Sequence, residues 1–380
     1  MQRPAYFDNA ATTPMDPRVF EAMRPWFMER YGNASSSTHL YGWEAGDAVE
    51  EAREQVASLI GARSKEVVFT SGATESVNLA LKGVAEAHGF RGVHIVTCVT
   101  EHRAVLDACL HLERLGCLVD RVGVDHRGCL DLGELEAAIR PETRLIALMH
   151  ANNETGVMHP VREIASIARE RKALFFCDAT QAVGKIPLHA GEWGVDLMAF
   201  SAHKFHGPKG VGGLYIRKCP ETSGLVSQMD GGGHERGLRS GTLNVPGIVG
   251  MGAAAALCNR SMDEDMPRIR SLRDRLETAL MRIPGCRLNG HSDRRLPNIS
   301  NLGFDGIDGP AAIKALSGRL ALSSGSACRS LVQEPSHVLT AMGLSEAAAR
   351  SSFRFSLGRY TTPEEVGSAI HEMEGLTGSR

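Results

Sequence analysis

The chain has 380 residues, of which 43% are hydrophobic and 23% charged, and its formal net charge is −2. This length supports a large buried core and predicts two domains, and the charge balance leaves no electrostatic footprint for nucleic acid or an anionic membrane. The N-terminus has no apolar signal core and no stretch approaches the roughly 20 apolar residues that span a bilayer, so we expect a cytoplasmic protein.

From about residue 46 the sequence alternates between helix-like and strand-like segments. Short apolar or β-branched runs predict strands at 67–70, 94–97, 145–149, 174–177, 197–200 and 214–216. Strands separated by helices of about a dozen residues predict a mostly parallel sheet with helices on both faces. In such sheets functional side chains gather at the carboxyl ends of the strands.

After Gly250 the pattern changes. A helical stretch begins at 253–257, and a second stripe of helical spacing runs over 269–280. Shorter strands are predicted near 299–304, 320–323 and 353–357, and a final helix is predicted from Pro363. This part reads as a second, smaller α+β domain.

Lys204 follows the predicted strand 197–200, in a loop punctuated by glycine and proline. An ammonium group at the mouth of a buried strand loses hydration, which lowers its pKa and frees the amine for Schiff-base chemistry. The alternative is a solvated loop lysine. Lys209, in the same loop, is most simply a loop residue.

Polar residues follow three other predicted strands. The segment 71–74 precedes a helix, whose N-terminus suits an anion, although plain helix capping explains the same residues. His102 suits acid/base work or stacking on an aromatic ring, and otherwise is a surface histidine. Asn153 suits a hydrogen bond to a ligand oxygen, and otherwise belongs to an Asx-type turn.

Asp178 lies at the end of the apolar run 174–177. A carboxylate there is costly unless it is paired. A protonated pyridine nitrogen would be a suitable partner, while a helix cap or a salt bridge would serve equally. An anion clamp, a pyridinium partner, a ring stacker and a Schiff-base lysine are together what pyridoxal phosphate requires of a protein.

Nine cysteines form no CxxC pair, which argues against a disulfide framework or a zinc site. Most of them should be small buried hydrophobic residues. Cys328 differs because it lies among serine, glycine and alanine in the segment 323–330. We interpret it as a nucleophile, with an unreactive loop thiol as the alternative.

With these residues in place, the sequence resembles the cysteine desulfurases, pyridoxal-phosphate enzymes of the class V aminotransferase superfamily with the type I fold. The resemblance extends from 6–14 to 354–359 and includes the blocks 69–76, 152–156, 178–181, 203–204, 231–242 and 323–328. The segment from Cys328 to His337 looks like that of the longer-loop subgroup. The resemblance implies a large domain at 14–250 with a mostly parallel seven-stranded sheet, and a small domain at 1–13 and 251–380 that carries the catalytic-cysteine loop.

The resemblance also implies roles for individual residues. Lys204 would bind the cofactor covalently, Asp178 would pair with its pyridine nitrogen and His102 would stack on its ring. Gln181 would hydrogen-bond the phenolic oxygen, and Asn153 would contact the cofactor and, with Arg354, the substrate carboxylate. The phosphate ligands would be Ala73, Thr74, Ser201 and His203, with Thr242 reaching the phosphate of a neighbouring subunit in a homodimer.

The implied reaction converts L-cysteine to L-alanine and leaves a persulfide on Cys328, with His102 as the candidate that helps the thiol to ionise. The sulfur would pass to an acceptor protein of iron–sulfur cluster assembly or of tRNA thiolation. A selenocysteine lyase or another class V enzyme is an alternative. A non-catalytic sulfur-relay scaffold is a further alternative, against which the joint retention of Lys204, Asp178, His102 and Cys328 argues.

Three positions depart from the family pattern. Phe176 stands two residues before Asp178, where relatives often carry histidine. Arg329 follows Cys328, where a small hydroxyl residue is common. The chain ends at Arg380, before the longer tail with which housekeeping members dock the iron–sulfur scaffold.

Overall fold

A computed structural model describes residues 3–324 and 334–378. Within these residues the strands are β1 (Ala5–Tyr6), β2 (Val67–Thr70), β3 (His94–Cys98), β4 (Leu118–Val122), β5 (Thr143–Met149), β6 (Leu174–Asp178), β7 (Leu197–Ser201), β8 (Gly212–Ile216), β9 (Cys286–Leu288), β10 (Ile299–Phe304), β11 (Leu320–Ala321) and β12 (Ser352–Ser356). The α-helices are α1 (Pro17–Met23), α2 (Pro25–Met28), α3 (Leu40–Leu59), α4 (Ala73–Ala87), α5 (Arg103–Arg114), α6 (Leu132–Ala138), α7 (Val161–Glu170), α8 (Ala190–Trp193), α9 (Val245–Leu280), α10 (Gly309–Leu316), α11 (His337–Ala341), α12 (Glu346–Arg350) and α13 (Pro363–Gly378). No helix in the described ranges is long and apolar enough to cross a bilayer.

The main sheet has seven strands within the described residues, in the order β2-β8-β7-β6-β5-β3-β4. The pairs from β4 to β7 are parallel, and β8 runs antiparallel to both β7 and β2. The predicted mostly parallel sheet and the α/β class are therefore confirmed. In β6 and β7, Asp178 lies opposite Ala199, so the carboxyl ends of these two strands are neighbours.

Five of the main-sheet strands are buried along their whole length on both faces, as β6 illustrates. Phe175 and Cys177 belong to one apolar cluster, whereas Leu174 and Phe176 belong to the cluster on the other face. Helices covering both faces explain why such strands are continuous apolar runs in the sequence. Phe176, the position that departs from the family pattern, is completely buried in this second cluster.

Strand β4 was not expected from the sequence. It lies at the edge of the main sheet and pairs only with β3 among the described strands. Leu118 is exposed, Asp120 and Arg121 are half-buried, and Val122 is buried. Both faces of β4 mix apolar and polar side chains, since Leu118, Asp120 and Val122 lie on one face and Val119 and Arg121 on the other. The strand therefore shows neither a continuous apolar run nor a clean alternation that would predict it.

A third apolar cluster forms the core of the C-terminal part. Here β10 pairs antiparallel with both β9 and β12, while the N-terminal strand β1 pairs in parallel with β11. Phe7 packs in this cluster, together with residues of α13. The N-terminal segment and the C-terminal part therefore share one core, which supports the proposed small domain at 1–13 and 251–380.

Helix α9 corrects one expectation. The two helical stretches expected after residue 250 are a single helix of 36 residues with Pro267 inside it. The portion up to Cys258 packs in the large core, and the portion from Ile269 onward packs in the third cluster. The division at 14–250 and 251–380 stays a prediction, and its boundary falls within this helix.

Candidate active site

A cavity of about 580 Å³ opens at the carboxyl ends of the main-sheet strands. It lies between the large core and the C-terminal part, because its walls include both β7-linked residues and Arg354 of β12. Ten of the residues singled out from the sequence line it: Ala73, Thr74, His102, Asn153, Asp178, Gln181, Ser201, His203, Lys204 and Arg354. The chain thus brings together residues that are separated by up to 281 positions in the sequence.

Lys204 ends a short 3₁₀ turn that follows β7 directly. Its Nζ donates hydrogen bonds to the main-chain oxygens of Ala10 at 2.7 Å and Ala11 at 2.8 Å. Burial, and then the cationic Arg354, lower the pKa of Lys204 to about 8, although Asp178 acts in the opposite direction. A larger fraction of the amine is therefore neutral near pH 7 to 8 than in an ordinary lysine.

Asp178 is the last residue of β6 and is 6% exposed. Its Oδ1 accepts a hydrogen bond from the main-chain N–H of Thr180 at 2.9 Å. No salt bridge to Asp178 forms within residues 3–324 and 334–378. Because a buried carboxylate needs compensation, this one is suited to a cationic partner within the cavity.

Helix α4 presents an uncapped N-terminus to the cavity. Its N-cap is Gly72, which has φ of +156°, and no side chain hydrogen-bonds at this cap. The first residues of the helix, Ala73 and Thr74, line the cavity together with Ser201. Uncapped N–H groups and the helix dipole make this end suitable for a phosphate, and glycine permits the unusual backbone angle.

His203 lies beside this helix end. Its Nδ1 is 3.1 Å from Thr12 Oγ1. Burial, followed by the nearby cations Lys204, Lys209 and Lys185, lowers the pKa of His203 to about 4. The ring is therefore neutral at physiological pH and can act only as a hydrogen-bond partner for an anion, without adding charge.

Buried polar atoms without partners show that the cavity suits a polar ligand. Thr180 Oγ1, Gln181 Oε1 and Arg354 Nε are buried and have no hydrogen-bond partner among the described residues. Gln181 uses its Nε2 to donate to the Ala10 oxygen at 2.8 Å. Unpaired buried polar atoms are costly, so a bound group that pairs with them is favoured. The residues present therefore fit pyridoxal phosphate.

Two hydrogen bonds hold the Arg354 side chain within the described part of the chain, and its Nε has no partner there. Its Nη1 donates to the Asn153 main-chain oxygen at 2.9 Å, and its Nη2 donates to Asp8 Oδ1 at 2.7 Å. Since the guanidinium has five N–H donors, several remain for a substrate carboxylate. The link to Asn153 runs through the backbone of that residue.

His102 is the N-cap of α5, and its Nδ1 accepts a hydrogen bond from the main-chain N–H of Ala104 at 3.1 Å. The side chain is exposed toward the cavity, but desolvation by the cavity walls lowers its pKa, with Asp178 opposing. A neutral ring whose Nδ1 accepts carries its proton on Nε2. His102 can therefore stack through the face of its ring and donate a hydrogen bond through Nε2–H in the cavity.

One predicted residue that the structure describes, Thr242, is not in the cavity wall. Thr242 is exposed in the loop before α9. Cys328 lies outside the described residues, as does Arg329. The chain on either side of them is close to the site, because Ser323 accepts a main-chain hydrogen bond from Arg354 at 2.7 Å and His337 lines the cavity.

Several residues at the site were not found by reasoning from the sequence. Glu154 lines the cavity and is 3% exposed, and burial raises its pKa. Lys185 does not line the cavity itself, but it is 6% exposed and donates at 2.9 Å to the main-chain oxygen of Gln181, which does. Lys209 was interpreted as a loop residue; it is exposed but also lines the cavity. Of these three residues, only Glu154 could have been suspected from the sequence, because it directly follows Asn153.

Comparison with known proteins gives consistent matches over nearly the whole chain. The family model for "Aminotransferase class-V" matches residues 5–368. The chain is 54% identical to the "Cysteine desulfurase IscS" of Anaeromyxobacter dehalogenans, over 97% of this chain and 91% of that protein. It is 50% identical to the "Cysteine desulfurase IscS" of Pectobacterium carotovorum, over 97% of this chain and 92% of that protein.

Solved structures agree. A "NifS-like protein" superimposes with a TM-score of 0.92 at 40% identity and covers 100% of both chains. A NifS-like protein from Rickettsia africae superimposes with a TM-score of 0.87 at 31% identity, covering 98% of this chain and 99% of the other. The chain therefore belongs to the pyridoxal-phosphate-dependent class-V aminotransferase family and, within it, to the cysteine desulfurases.

Proposed function

We propose that this protein converts L-cysteine to L-alanine and receives the sulfur as a persulfide on Cys328. The observation that carries the proposal is the convergence of Lys204, Asp178 and Arg354 on one cavity, beside the chain segments that flank Cys328. Each residue has a different chemical role, and a sulfur-relay scaffold would need neither the perturbed lysine nor the carboxylate clamp.

The residues of the cavity are assigned to the cofactor as follows. Lys204 would hold pyridoxal phosphate covalently, Asp178 would pair with its pyridine nitrogen, and the N-terminus of α4 with Ser201 and His203 would hold its phosphate. Bound there, pyridoxal phosphate supplies an electron sink for the electron pair left at the substrate Cα. Gln181 and Thr180 have buried oxygens that suit further polar contacts with it.

The remaining steps rest on this chain's own groups. Arg354 binds and orients the substrate carboxylate with its free N–H donors, and Asp8 keeps the guanidinium in place. Once the substrate amine has displaced it from the cofactor, the Nζ of Lys204, whose pKa as a free amine is about 8, accepts the Cα proton. The His102 ring donates Nε2–H to the sulfur of Cys328, and this hydrogen bond favours the thiolate form of that cysteine.

Sulfur transfer is then a substitution at sulfur. The Cys328 thiolate forms a bond to the substrate sulfur, the substrate Cβ–S bond breaks, and the electron pair stays with the carbon fragment, which is protonated to alanine. One thiol and one cysteine give one persulfide and one alanine, so no external oxidant is consumed. A reductant or an acceptor thiol takes the terminal sulfur afterwards.

A sulfur-acceptor protein is the expected partner, and we assign it to iron–sulfur cluster assembly or to tRNA thiolation. This assignment, like placement in the cytoplasm, rests on the family resemblance. Mass spectrometry of purified candidate acceptors tests it, because in the absence of small-molecule reductant a true acceptor thiol takes the terminal sulfur as its own persulfide and returns Cys328 to the thiol.

We also propose a homodimer. Support comes from an apolar surface patch near the N-terminus, which consists of Phe27, Met28, Tyr31, Leu40, Tyr41 and Trp43, each more than half exposed. The Tyr31 and Tyr41 rings stack at 5.4 Å between centroids, which joins the two parts of the chain that contribute to the patch. Exposed apolar patches of this kind mark interfaces. Light scattering should give twice the 40.9 kDa of one chain, and Tyr31→Asp should lower that mass.

The central experiment compares the parent protein, Cys328→Ala and Lys204→Ala. With cysteine and a dithiol reductant the parent should release sulfide and alanine in equal amounts. Cys328→Ala should bind the cofactor and release no sulfide, and Lys204→Ala should lose covalent attachment of the cofactor after borohydride reduction. Undiminished sulfide from Cys328→Ala would remove that thiol from the reaction. Selenide release from selenocysteine with no sulfide from cysteine would favour a selenocysteine lyase.

A further inference from the structure

The chain that follows Cys328 returns to a fixed position at Ser336. The Ser336 hydroxyl donates to Glu154 Oε2 at 2.5 Å and accepts from the main-chain N–H of Leu339 at 3.1 Å, which caps α11. Ser336 is 2% exposed and Glu154 is 3% exposed. One buried hydroxyl therefore ties the start of a helix to the wall of the cavity.

Glu154 is itself firmly held. Its main-chain N–H donates to Asn152 Oδ1 at 2.8 Å, and its main-chain oxygen accepts from Asn301 Nδ2 at 3.2 Å. The preceding residue, Asn153, accepts a hydrogen bond from Arg354. Glu154 thus lies between the proposed substrate clamp and the chain that returns from Cys328.

A second contact fixes the same segment. His337 Nε2 lies 3.0 Å from the main-chain oxygen of Glu101, to which it donates. Glu101 in turn is completely buried and accepts from the main-chain N–H of Met149 through Oε1 at 2.7 Å. Glu334 and Pro335 line the cavity just before these anchors. The return point of the chain is therefore fixed by residues of the large core.

The surroundings of Glu154 suit an anchoring role. Burial raises its pKa, while the hydrogen bond from Ser336 and the nearby His337, Arg354 and Arg103 act in the opposite direction. A carboxylate that gives up hydration for a hydroxyl donor makes a short, strong hydrogen bond, because one partner is charged. Removing either partner leaves a buried polar group unpaired.

We propose that Glu154 is a positioning residue for sulfur transfer: through the Ser336 hydroxyl it fixes the chain that follows Cys328 against the cavity. This inference rests on the proposed function. Cys328 precedes Ser336 by eight residues, so at about 3.5 Å per residue its reach from that anchor is at most about 28 Å. Releasing the anchor moves the nearest fixed point of the chain further from Cys328 and lowers the local concentration of the thiol at the site.

The test measures persulfide formation on Cys328 in a single turnover. Cofactor-loaded protein is mixed with cysteine, quenched with a thiol-alkylating reagent and analysed by mass spectrometry. The variants are Ser336→Ala, Glu154→Ala and Glu154→Gln, whose amide oxygen still accepts from Ser336. Ser345→Ala is the matched control, because Ser345 caps the equally short helix α12 through the N–H of Ala348 at 3.2 Å. Cofactor absorbance and its change on cysteine binding are recorded for each protein.

Persulfide formation should slow about tenfold or more in Ser336→Ala and Glu154→Ala, since small displacements of reacting groups are costly. The cofactor's spectral response to cysteine should stay within about twofold of the parent in every variant. Glu154→Gln should form the persulfide within about threefold of the parent rate, and Ser345→Ala should form it at the parent rate. The double alanine variant should be no slower than either single variant.

Equal rates for Ser336→Ala and Ser345→Ala would overturn the inference, as would a Glu154→Gln protein as slow as Glu154→Ala. Multiplicative slowing in the double variant would overturn it as well, because the two residues would then act independently. Absence of any persulfide in the parent has a different meaning and would overturn the proposed function itself.

Discussion

Replacing Lys185 by methionine removes a buried amine from beneath the cavity and should stabilise the protein at pH 7. Lys185 is 6% exposed, and its Nζ donates to the Gln181 main-chain oxygen at 2.9 Å. Burial and the neighbouring Lys204 lower its pKa from 10.5 to about 7. Between pH 7 and 10.5 this amine is protonated in the unfolded chain and neutral in the folded protein. The unfolding free energy therefore decreases as pH falls from 10.5 to 7.

The magnitude follows from the same two pKa values. At 1.36 kcal/mol per pH unit the loss from Lys185 at pH 7 is about 4 kcal/mol. Methionine fills a similar volume without a charge, but it gives up the hydrogen bond to Gln181, which is worth about 1 kcal/mol. The variant should therefore gain about 3 kcal/mol in unfolding free energy at pH 7, and about 1 kcal/mol at pH 9.

Urea unfolding followed by far-UV circular dichroism, on cofactor-free protein at both pH values, measures this gain. Working without cofactor removes the contribution of ligand binding to stability. Lys65→Met serves as the control, because Lys65 is exposed in a short turn and should change stability by less than about 0.5 kcal/mol. A Lys185→Met protein that is less stable than the parent at pH 7 would refute the reasoning. So would a gain in unfolding free energy that is as large at pH 9 as at pH 7.

Three further predictions concern stability at acid pH, substrate binding and a buried ion pair. Burial lowers the pKa of His159 from 6.5 to about 4, so stability should fall as pH drops from 6.5 toward 4, by about 2 kcal/mol at pH 5; urea titrations of His159→Leu should lack that part of the loss. Arg354→Ala should raise KM for cysteine at least about tenfold in initial-rate kinetics, and Arg354→Lys should recover little, since a point charge cannot replace the planar donors; an unchanged KM contradicts the clamp. Arg53 and Glu235 form an ion pair at 2.7 Å with side chains 3% and 2% exposed, so Arg53→Ala should lower the unfolding free energy by about 3–5 kcal/mol, and a loss below about 1 kcal/mol contradicts this account.

The sheet and four of the cavity residues, Lys204, Asp178, His102 and Asn153, could be predicted because their signals are local, whereas Gln181, Ser201, His203 and Arg354 followed only from the family resemblance. The strands that end at Asp178 and precede Lys204 are buried on both faces and therefore read as unbroken apolar runs. A charged residue directly after such a run is conspicuous, because burial makes it costly without a function. The same logic located Asn153 and His102, which also follow main-sheet strands.

The remaining features depend on partners that lie far apart in the sequence. Glu154 and Ser336 are 182 residues apart, and no local pattern reveals that one accepts from the other. Lys185 appears ordinary in the sequence, since only the packing around it shows that it is buried. The sequence predicts two helical stretches in place of α9, because the middle of this helix is polar and contains Pro267, features that usually end a helix.

Helix α9 has a mechanical consequence for the cavity. At 1.5 Å per residue it is a rod of about 54 Å that belongs to both cores. Met262 packs against the large core and Met266 against the third cluster, so Pro267 lies just beyond the point where the rod passes from one to the other. Proline removes a main-chain hydrogen bond and makes this the most easily bent point of the rod. The neighbours of Lys204 in the chain pack in the large core and those of Arg354 pack in the third cluster. A bend at Pro267 would therefore move these two walls of the cavity relative to each other.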